Sequence, residues 1–275
     1  MSSCIGHLIY RVRIVFRGRR ECVVNHINEN VERRENDIDL SFVLKGGRMK
    51  IQLYEMEVSV ALIKPIAIQD VYKQVSYFID ETFIDTKFAE MHKSKDHKAY
   101  AFSSLTPTTS DNADFQVGRV YSFRVRTVSK ELAEHFVRSL SKRRSEYIQG
   151  LTARYWKVAK KHIEKIYSLS PVLIKNDQGY WRNADMSLED YITRITANAY
   201  KKHKYFTGHQ ANENCELFTR IEFNNKMPIA VNYKGIKLLC DKLDISIADN
   251  EQAQEIAYLL LGTGVAEGGD RKSVV

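Results

Sequence analysis

The order of strand-like and helix-like patterns is the feature that most constrains what this chain can fold into. Alternating apolar and polar residues over 50–62 predict a long strand. Apolar residues at helical spacing over 66–83 predict a helix. The patterns that follow are two strands, a helix and a strand, at 98–105, 119–128, 129–140 and 151–163. This β-α-β-β-α-β order is that of a ferredoxin-like or RRM-like unit.

The same order partly recurs in the second half of the chain. A strand is predicted at 165–175, and a helix at 187–203 begins with a capping box, Ser187 and Asp190. The remaining patterns are a hairpin-like pair of strands, a third strand and a helix that ends at Gly262, at 215–223, 227–235, 236–247 and 248–262. We therefore expect an α+β protein with two ferredoxin-like domains in tandem. The second should lack its closing strand and leave an exposed sheet edge.

Both ends of the chain differ from the rest. Residues 1–48 hold eight arginines and one lysine, whereas residues 49–275 hold eleven arginines and twenty-two lysines. We interpret 1–48 as a non-native or disordered extension ahead of a start at Met49, so that its deletion should be harmless. A basic arm that binds nucleic acid is the alternative. The last six residues, 270–275, are interpreted as an artefactual tail, which leaves domains at 49–163 and 164–269.

Charge and cysteine usage narrow the class of protein. The net charge of +8 and the pI of about 9.1 favour a polyanionic partner such as RNA or DNA. No apolar run approaches the roughly 20 residues that span a bilayer, so no membrane association is expected. Four cysteines without a CxxC pair predict neither a disulfide framework nor a zinc site, and they fit a reducing cytoplasm.

The stretch MHKSKDHKAYAFS, residues 91–103, gathers groups suited to RNA cleavage just before a strand. His92 and His97 can each accept and donate a proton near neutral pH. Lys98 offers a positive charge for a phosphate whose negative charge grows in the transition state. Because RNA supplies its own nucleophile, the 2′-hydroxyl, such a site needs no metal or cofactor. By composition alone, a solvated Lys/His loop is the alternative.

Two further segments are candidate RNA contacts. Arg124 and Arg126 share one face of the strand at 119–128, which predicts a basic platform for phosphates or else a solvated sheet face. The glycine-rich tail at 261–269 follows a helix, which argues against a Rossmann site. Its backbone N–H groups, with Gly262 and Gly264 as candidates, can wrap a phosphate, although an ordinary helix end gives the same pattern.

Several of these segments together resemble a known family. The loop with KAYAFSSL, then RVYSFRVRTVSKELAEHFVRSL, SPVLIK, RIEFNNKMPIAVNYKGIKLL and AYLLLGTGV are similar to the Cas-six family of CRISPR-associated repeat-RNA endoribonucleases. The likeness is to clostridial versions found with type I-B systems, and it covers residues 49 to about 267. One departure concerns the glycine-rich motif, which in the family continues into a Gly-Phe-Gly strand, whereas here it runs into DRKSVV.

The resemblance implies a reaction and a set of roles. His92 would be the general acid–base, Tyr77 would help position or activate the 2′-hydroxyl, and Lys98 would stabilise charge on the phosphate. A packing role for Tyr77 in the core is the alternative, since Tyr72 and Phe78 share its helix. His97 competes with His92 for the first role and is otherwise an RNA contact. The products would be a 2′,3′-cyclic phosphate and a 5′-hydroxyl. The implied partners are CRISPR repeat RNA and a multi-subunit interference complex, and a homodimer stays open. The alternative is a non-catalytic RNA-binding subunit on the same fold.

Overall fold

A computed structural model describes residues 12–15, 51–94, 96–108, 114–168, 170–176, 179–182, 186–233 and 236–266. At residues 12–15, 92, 176, 233 and 236 it describes the backbone only. The strands are β1 (Val12–Val15), β2 (Leu53–Leu62), β3 (Tyr100–Phe102), β4 (Val120–Thr127), β5 (Ile148–Val158), β6 (Lys165–Ser168), β7 (Lys175–Asn176), β8 (Gly179–Tyr180), β9 (Phe218–Phe223), β10 (Ile229–Tyr233), β11 (Ile236–Cys240) and β12 (Leu243–Ile247). The helices are α1 (Val71–Asp80), α2 (Ala89–Lys93), α3 (Lys130–Leu140), α4 (Leu188–Thr207) and α5 (Glu251–Thr263). Short 3₁₀ turns flank α1 on both sides.

The first sheet is antiparallel, with strand order β3-β4-β2-β5. On β2, alternate residues such as Met56 and Val58 are buried, as the period-2 pattern predicts. Helices α1 and α3 cover this face, where Phe78 of α1 meets Phe123 of β4 edge to face. Ser129 caps α3 by accepting a hydrogen bond from the N–H of Leu132. The predicted ferredoxin-like unit is confirmed.

The second sheet repeats this arrangement, with strand order β9-β12-β6-β1. In this order β9, β12, β6 and β1 correspond to β3, β4, β2 and β5 of the first sheet. Strand β1 therefore takes the position of β5. Its residues Val12–Val15 pair antiparallel with Lys165–Ser168 of β6. The predicted exposed edge is thus covered along these four residues, which come from the segment interpreted as non-native. The tail at 270–275 lies outside the described residues.

The pairing of the strands after α4 differs from the prediction. The segment 236–247 forms two strands, and β10 pairs with β11 while β9 pairs with β12. Asp241 lies between β11 and β12, where it is fully buried and held in place. Its carboxylate accepts hydrogen bonds from Arg182 Nε at 2.9 Å and Nη2 at 2.8 Å, and its backbone pairs with Val172. The hairpin predicted between 215–223 and 227–235 is therefore wrong.

Helix α5 joins the two units. It packs against β12 of the second sheet and against the face of the first sheet that lies opposite α1 and α3. A Cβ at Gly262 would lie 2.6 Å from Leu53 Cδ1 and 3.0 Å from Val128 Cγ1. The hydroxyl of Tyr258 donates to the carbonyl of Val158 at 2.6 Å and accepts from the N–H of Leu53 at 3.1 Å. The helix and the sheet are therefore in close contact. Across the described part of the chain, no helix combines the length and apolar character needed to cross a membrane.

Candidate functional site

The candidate cleavage loop begins on the five-residue helix α2 and ends at β3. His92 lies on α2, one residue before its last, and Ser94 caps the helix with extended backbone. The loop then returns through Lys98 into β3, which starts at Tyr100. The side chain of His92 lies outside the description, so the structure locates its backbone alone.

Lys98 is turned inward, toward the end of α2. Its residue surface is 5% exposed, and its Nζ donates to the carbonyl of Met91 at 2.5 Å and to that of Ser94 at 2.9 Å. These carbonyls belong to the C-terminal end of α2, where a helix lacks internal donors and favours positive charge. Lys98 therefore fixes the backbone on both sides of His92. The phosphate contact expected of it stays a prediction.

Tyr77 is half-buried on α1, the helix that covers the first sheet. The ammonium group of Lys73, one turn earlier, lies 5.8 Å from the centre of its ring. The role predicted for Tyr77 at the 2′-hydroxyl stays a prediction, because it depends on the side chain of His92.

A buried carboxyl group lies behind the loop, three residues after Tyr77. Asp80 receives hydrogen bonds from Ser76 Oγ at 3.1 Å and from the hydroxyl of Tyr100 at 3.3 Å. Burial raises its pKa from 3.8 to about 7, and the opposing effects include the two hydrogen bonds and the charge of Lys98. Asp80 thus links α1, the loop and the start of β3. Sequence reasoning missed Asp80, because a lone aspartate in a helical pattern is ordinarily exposed to solvent.

His97 faces the second unit and is neutral at pH 7. Its ring meets that of Tyr205 on α4 edge to face, with centres 5.4 Å apart. Burial, followed by the charges of Lys202 and Lys201, lowers its pKa from 6.5 to about 4. An imidazole that holds its proton this weakly is poorly matched to general acid catalysis near neutral pH. His97 is therefore poorly suited to that role, and the assignment of the acid–base role to His92 stays a prediction.

Helix α4 forms the opposite wall of this region. Lys201 and Tyr205 are exposed on it beside His97, while Lys202 is buried. The loop consequently lies at the junction of the two units, next to cationic and aromatic side chains. Sequence reasoning missed these three residues, although the run AYKKHKYF at 199–206 interleaves lysines with tyrosines and could have indicated them.

The predicted arginine platform lies on the sheet face opposite α1 and α3, and it is only partly basic. Glu55, whose side chain is 7% exposed, forms ion pairs with Arg124 at 3.2 Å and with Arg126. Glu57 likewise pairs with Arg154 of β5 at 2.7 Å. The side chain of Arg124 remains 45% exposed and that of Arg126 only 14%. Arg124 is therefore the better placed of the two for a phosphate.

The two candidate glycines lie at the end of α5. Gly262 is buried inside the helix, which ends at Thr263 with Gly264 as its C-cap, two residues later than predicted. Gly264 adopts φ +76°, and its N–H donates to the carbonyl of Leu260 at 2.8 Å. A phosphate contact through that N–H would first have to break this bond. RNA binding by both glycines stays a prediction.

The fold defines a class, a tandem pair of ferredoxin-like units joined by α5, and solved structures share it. One is described as "CRISPR associated protein Cas6", with 14% identity, a TM-score of 0.57 and coverage of 79% of this chain and 95% of that one. A second is "An RAMP protein binding different RNA substrates", with 16% identity, a TM-score of 0.58 and coverage of 78% and 95%. A third, a Cas6-related protein from Pyrococcus furiosus, has 16% identity, a TM-score of 0.55 and coverage of 79% and 94%. No protein-family model and no curated protein matches the sequence. At these identities the likeness shows the fold.

Proposed function

We propose that this protein is an endoribonuclease that binds the repeat of a CRISPR precursor transcript in the cytoplasm and cleaves within it. The observation that carries the proposal is the place of the His92 loop. It lies at the junction of the two units, is held by a buried lysine, and faces the cationic helix α4. The shared fold with Cas6 and RAMP proteins supports the same reading.

The proposed reaction is a transesterification in which the RNA attacks its own phosphodiester. His92 takes the proton of the 2′-hydroxyl and returns one to the departing 5′-oxygen, and Tyr77 orients the hydroxyl. The O2′–P bond forms as the P–O5′ bond breaks, which leaves a 2′,3′-cyclic phosphate and a 5′-hydroxyl. Lys98 contributes by fixing the His92 backbone, in addition to any charge it offers the phosphate.

RNA recognition would combine phosphate contacts with readout of unpaired bases. Exposed cations on both sides of the loop, Lys93 and Lys201, and the partly exposed Arg124 are placed to contact phosphates. Tyr205 offers an exposed ring beside His97 on which a base can stack. We also propose that a multi-subunit interference complex retains the cleaved guide. The proposed domains remain 49–163 and 164–269.

A non-catalytic RNA-binding subunit is the second candidate. The inward orientation of Lys98 favours it, because a cation committed to two carbonyls is less available to a phosphate. Cleavage of a repeat RNA under single-turnover conditions in EDTA separates the two functions. Product with a cyclic phosphate end supports the nuclease, and tight binding without product supports the subunit.

A further inference from the structure

Lys202 carries its charge inside the protein. It lies on the buried face of α4 with 1% of its surface exposed, and its Nζ donates to the carbonyls of Thr263 at 2.8 Å and Gly264 at 2.7 Å. A buried ammonium destabilises the fold unless it is well paired. The carbonyls at the C-terminal end of α5 are suitable partners, because they lack helical donors and carry the negative end of the helix dipole.

The contact fixes the point at which the chain leaves α5. Thr263 is the last helical residue, and its hydroxyl donates to the carbonyl of Leu259 at 3.1 Å. Gly264 follows with its left-handed φ, and Val265 and Ala266 are buried after it. The glycine-rich segment at 261–269 therefore starts from a position that a side chain of α4 holds.

The same helix also contacts the candidate cleavage loop. Tyr205 lies three residues after Lys202, less than one helical turn away, and its ring packs against His97. The charge of Lys202 is among the causes that lower the pKa of His97. Helix α4 thus contacts the loop through one residue and the start of the glycine-rich segment through the other.

We propose that Lys202 is a positioning residue, whose buried ammonium holds the start of the glycine-rich segment in register with the loop that carries His92. The inference rests on the proposed function, because it gives both segments a part in handling the same RNA. Lys202 itself is out of reach of substrate. It acts through the two carbonyls that it binds and through its field at His97.

Two substitutions separate its hydrogen bonds from its charge. Lys202→Met keeps the length but loses both, whereas Lys202→Gln loses the charge and keeps an N–H donor. Lys204→Met is the matched control, since it removes one exposed lysine from the same helix. The measurements are amide exchange at Gly264 and Val265, the NMR titration of His97, and the affinity for a repeat RNA.

Lys202→Met should speed exchange at Gly264 and Val265 by about tenfold or more, because the end of α5 opens locally. Both Lys202 variants should move the pKa of His97 back toward 6.5. RNA should bind Lys202→Met about tenfold more weakly, because binding must then also order the start of the glycine-rich segment. Lys204→Met should weaken RNA binding about twofold and leave exchange and the titration unchanged.

Unchanged exchange and an unchanged His97 titration in Lys202→Met would overturn the proposal. If Lys202→Met does not fold, Lys202→Gln decides: a raised His97 pKa with weaker RNA binding supports the role, and wild-type values for both refute it. If the wild-type protein binds no RNA, the proposed function fails. The exchange and titration experiments still test the positioning role in that case.

Discussion

At the scale of single residues, burial shifts the pKa of Asp80 and the pKa of His97 more than any neighbouring group does. Neither was singled out for its pKa by sequence reasoning, because a pattern of residue types does not tell which side chain loses its water. His92, Tyr77 and Lys98 could be selected from residue type, spacing and resemblance. Only the structure shows that Lys98 bonds to Met91 and Ser94.

Asp80→Asn tests the buried carboxyl through the pH dependence of stability. The pKa of Asp80 is about 7 in the folded protein and about 3.8 when exposed. Its contribution to stability is therefore complete below pH 3.8 and is lost as the pH rises through 7. Because asparagine does not ionise, the melting temperature of Asp80→Asn minus that of the wild type should increase from pH 5 to pH 8.

This difference isolates Asp80, because the other titrating groups are common to both proteins. His97, for example, has the opposite pH dependence. Because its pKa is about 4 in the folded protein and 6.5 when exposed, its contribution to stability is lost as the pH falls from 6.5 toward 4. A difference that stays constant from pH 5 to pH 8 would contradict the raised pKa, because an Asp80 that is already ionised in the folded protein does not titrate in this range. Thermal unfolding followed by circular dichroism at four or five pH values is sufficient.

At the scale of elements, the helix starts and the first sheet follow from local sequence. Ser129 and the pair Ser187–Asp190 cap their helices as predicted, because these bonds form within four residues. The pairing of β9 with β12 could not be read this way. Next to that pair lies the buried Asp241, whose partner Arg182 is 59 residues away along the chain, beyond the reach of a local pattern.

Lys98→Met tests whether this lysine holds the element that carries His92. Loss of its bonds to Met91 and Ser94 should loosen the end of α2 and cost about 1–3 kcal/mol of stability. Under single-turnover conditions with saturating RNA, the cleavage rate should fall by about tenfold or more, since a small misplacement of a catalytic group is costly. Weaker RNA binding with an unchanged cleavage rate would instead make Lys98 a phosphate contact.

Amide exchange at Ser94 separates the two roles independently of RNA. Its N–H donates to the carbonyl of Glu90 at the end of α2, so it should exchange faster in Lys98→Met than in the wild type. Lys87→Met, in which an exposed lysine just ahead of the same helix is replaced, is the matched control, because its ammonium group pairs with Glu131 at 2.6 Å. It should leave this exchange rate unchanged.

At the scale of the whole molecule, the tandem arrangement was predictable because the order of patterns recurs along the chain. The strand that fills the edge beside β6 was not, because it lies about 150 residues from its partner in sequence and no local pattern specifies that pairing. The close packing of α5 against the first sheet was also missed, since Gly262 looks in sequence like a helix end.

Deletion of residues 1–48 tests the place of β1. From sequence we expected no effect, whereas the pairing of Val12–Val15 with β6 predicts a loss of stability. Each kcal/mol lost should lower the melting temperature by about 2–4 °C for a chain of this size. Amides of β6 should also exchange faster, because one edge of the strand becomes exposed. An unchanged melting temperature and unchanged exchange in β6 would show that residues 1–48 do not contribute to the stability of the fold.

The central claim is that the imidazole of His92 transfers protons during RNA cleavage, and single-turnover kinetics in EDTA test it most directly. The substrate is the CRISPR repeat RNA encoded nearest to the gene, and the proteins are the wild type, His92→Ala and, as control, the exposed His209→Ala. The account predicts a cyclic phosphate product from the wild type and from His209→Ala. Cleavage by His92→Ala should be slower by about 10²–10⁴-fold with nearly unchanged RNA affinity. Equal cleavage by His92→Ala and the wild type would contradict it.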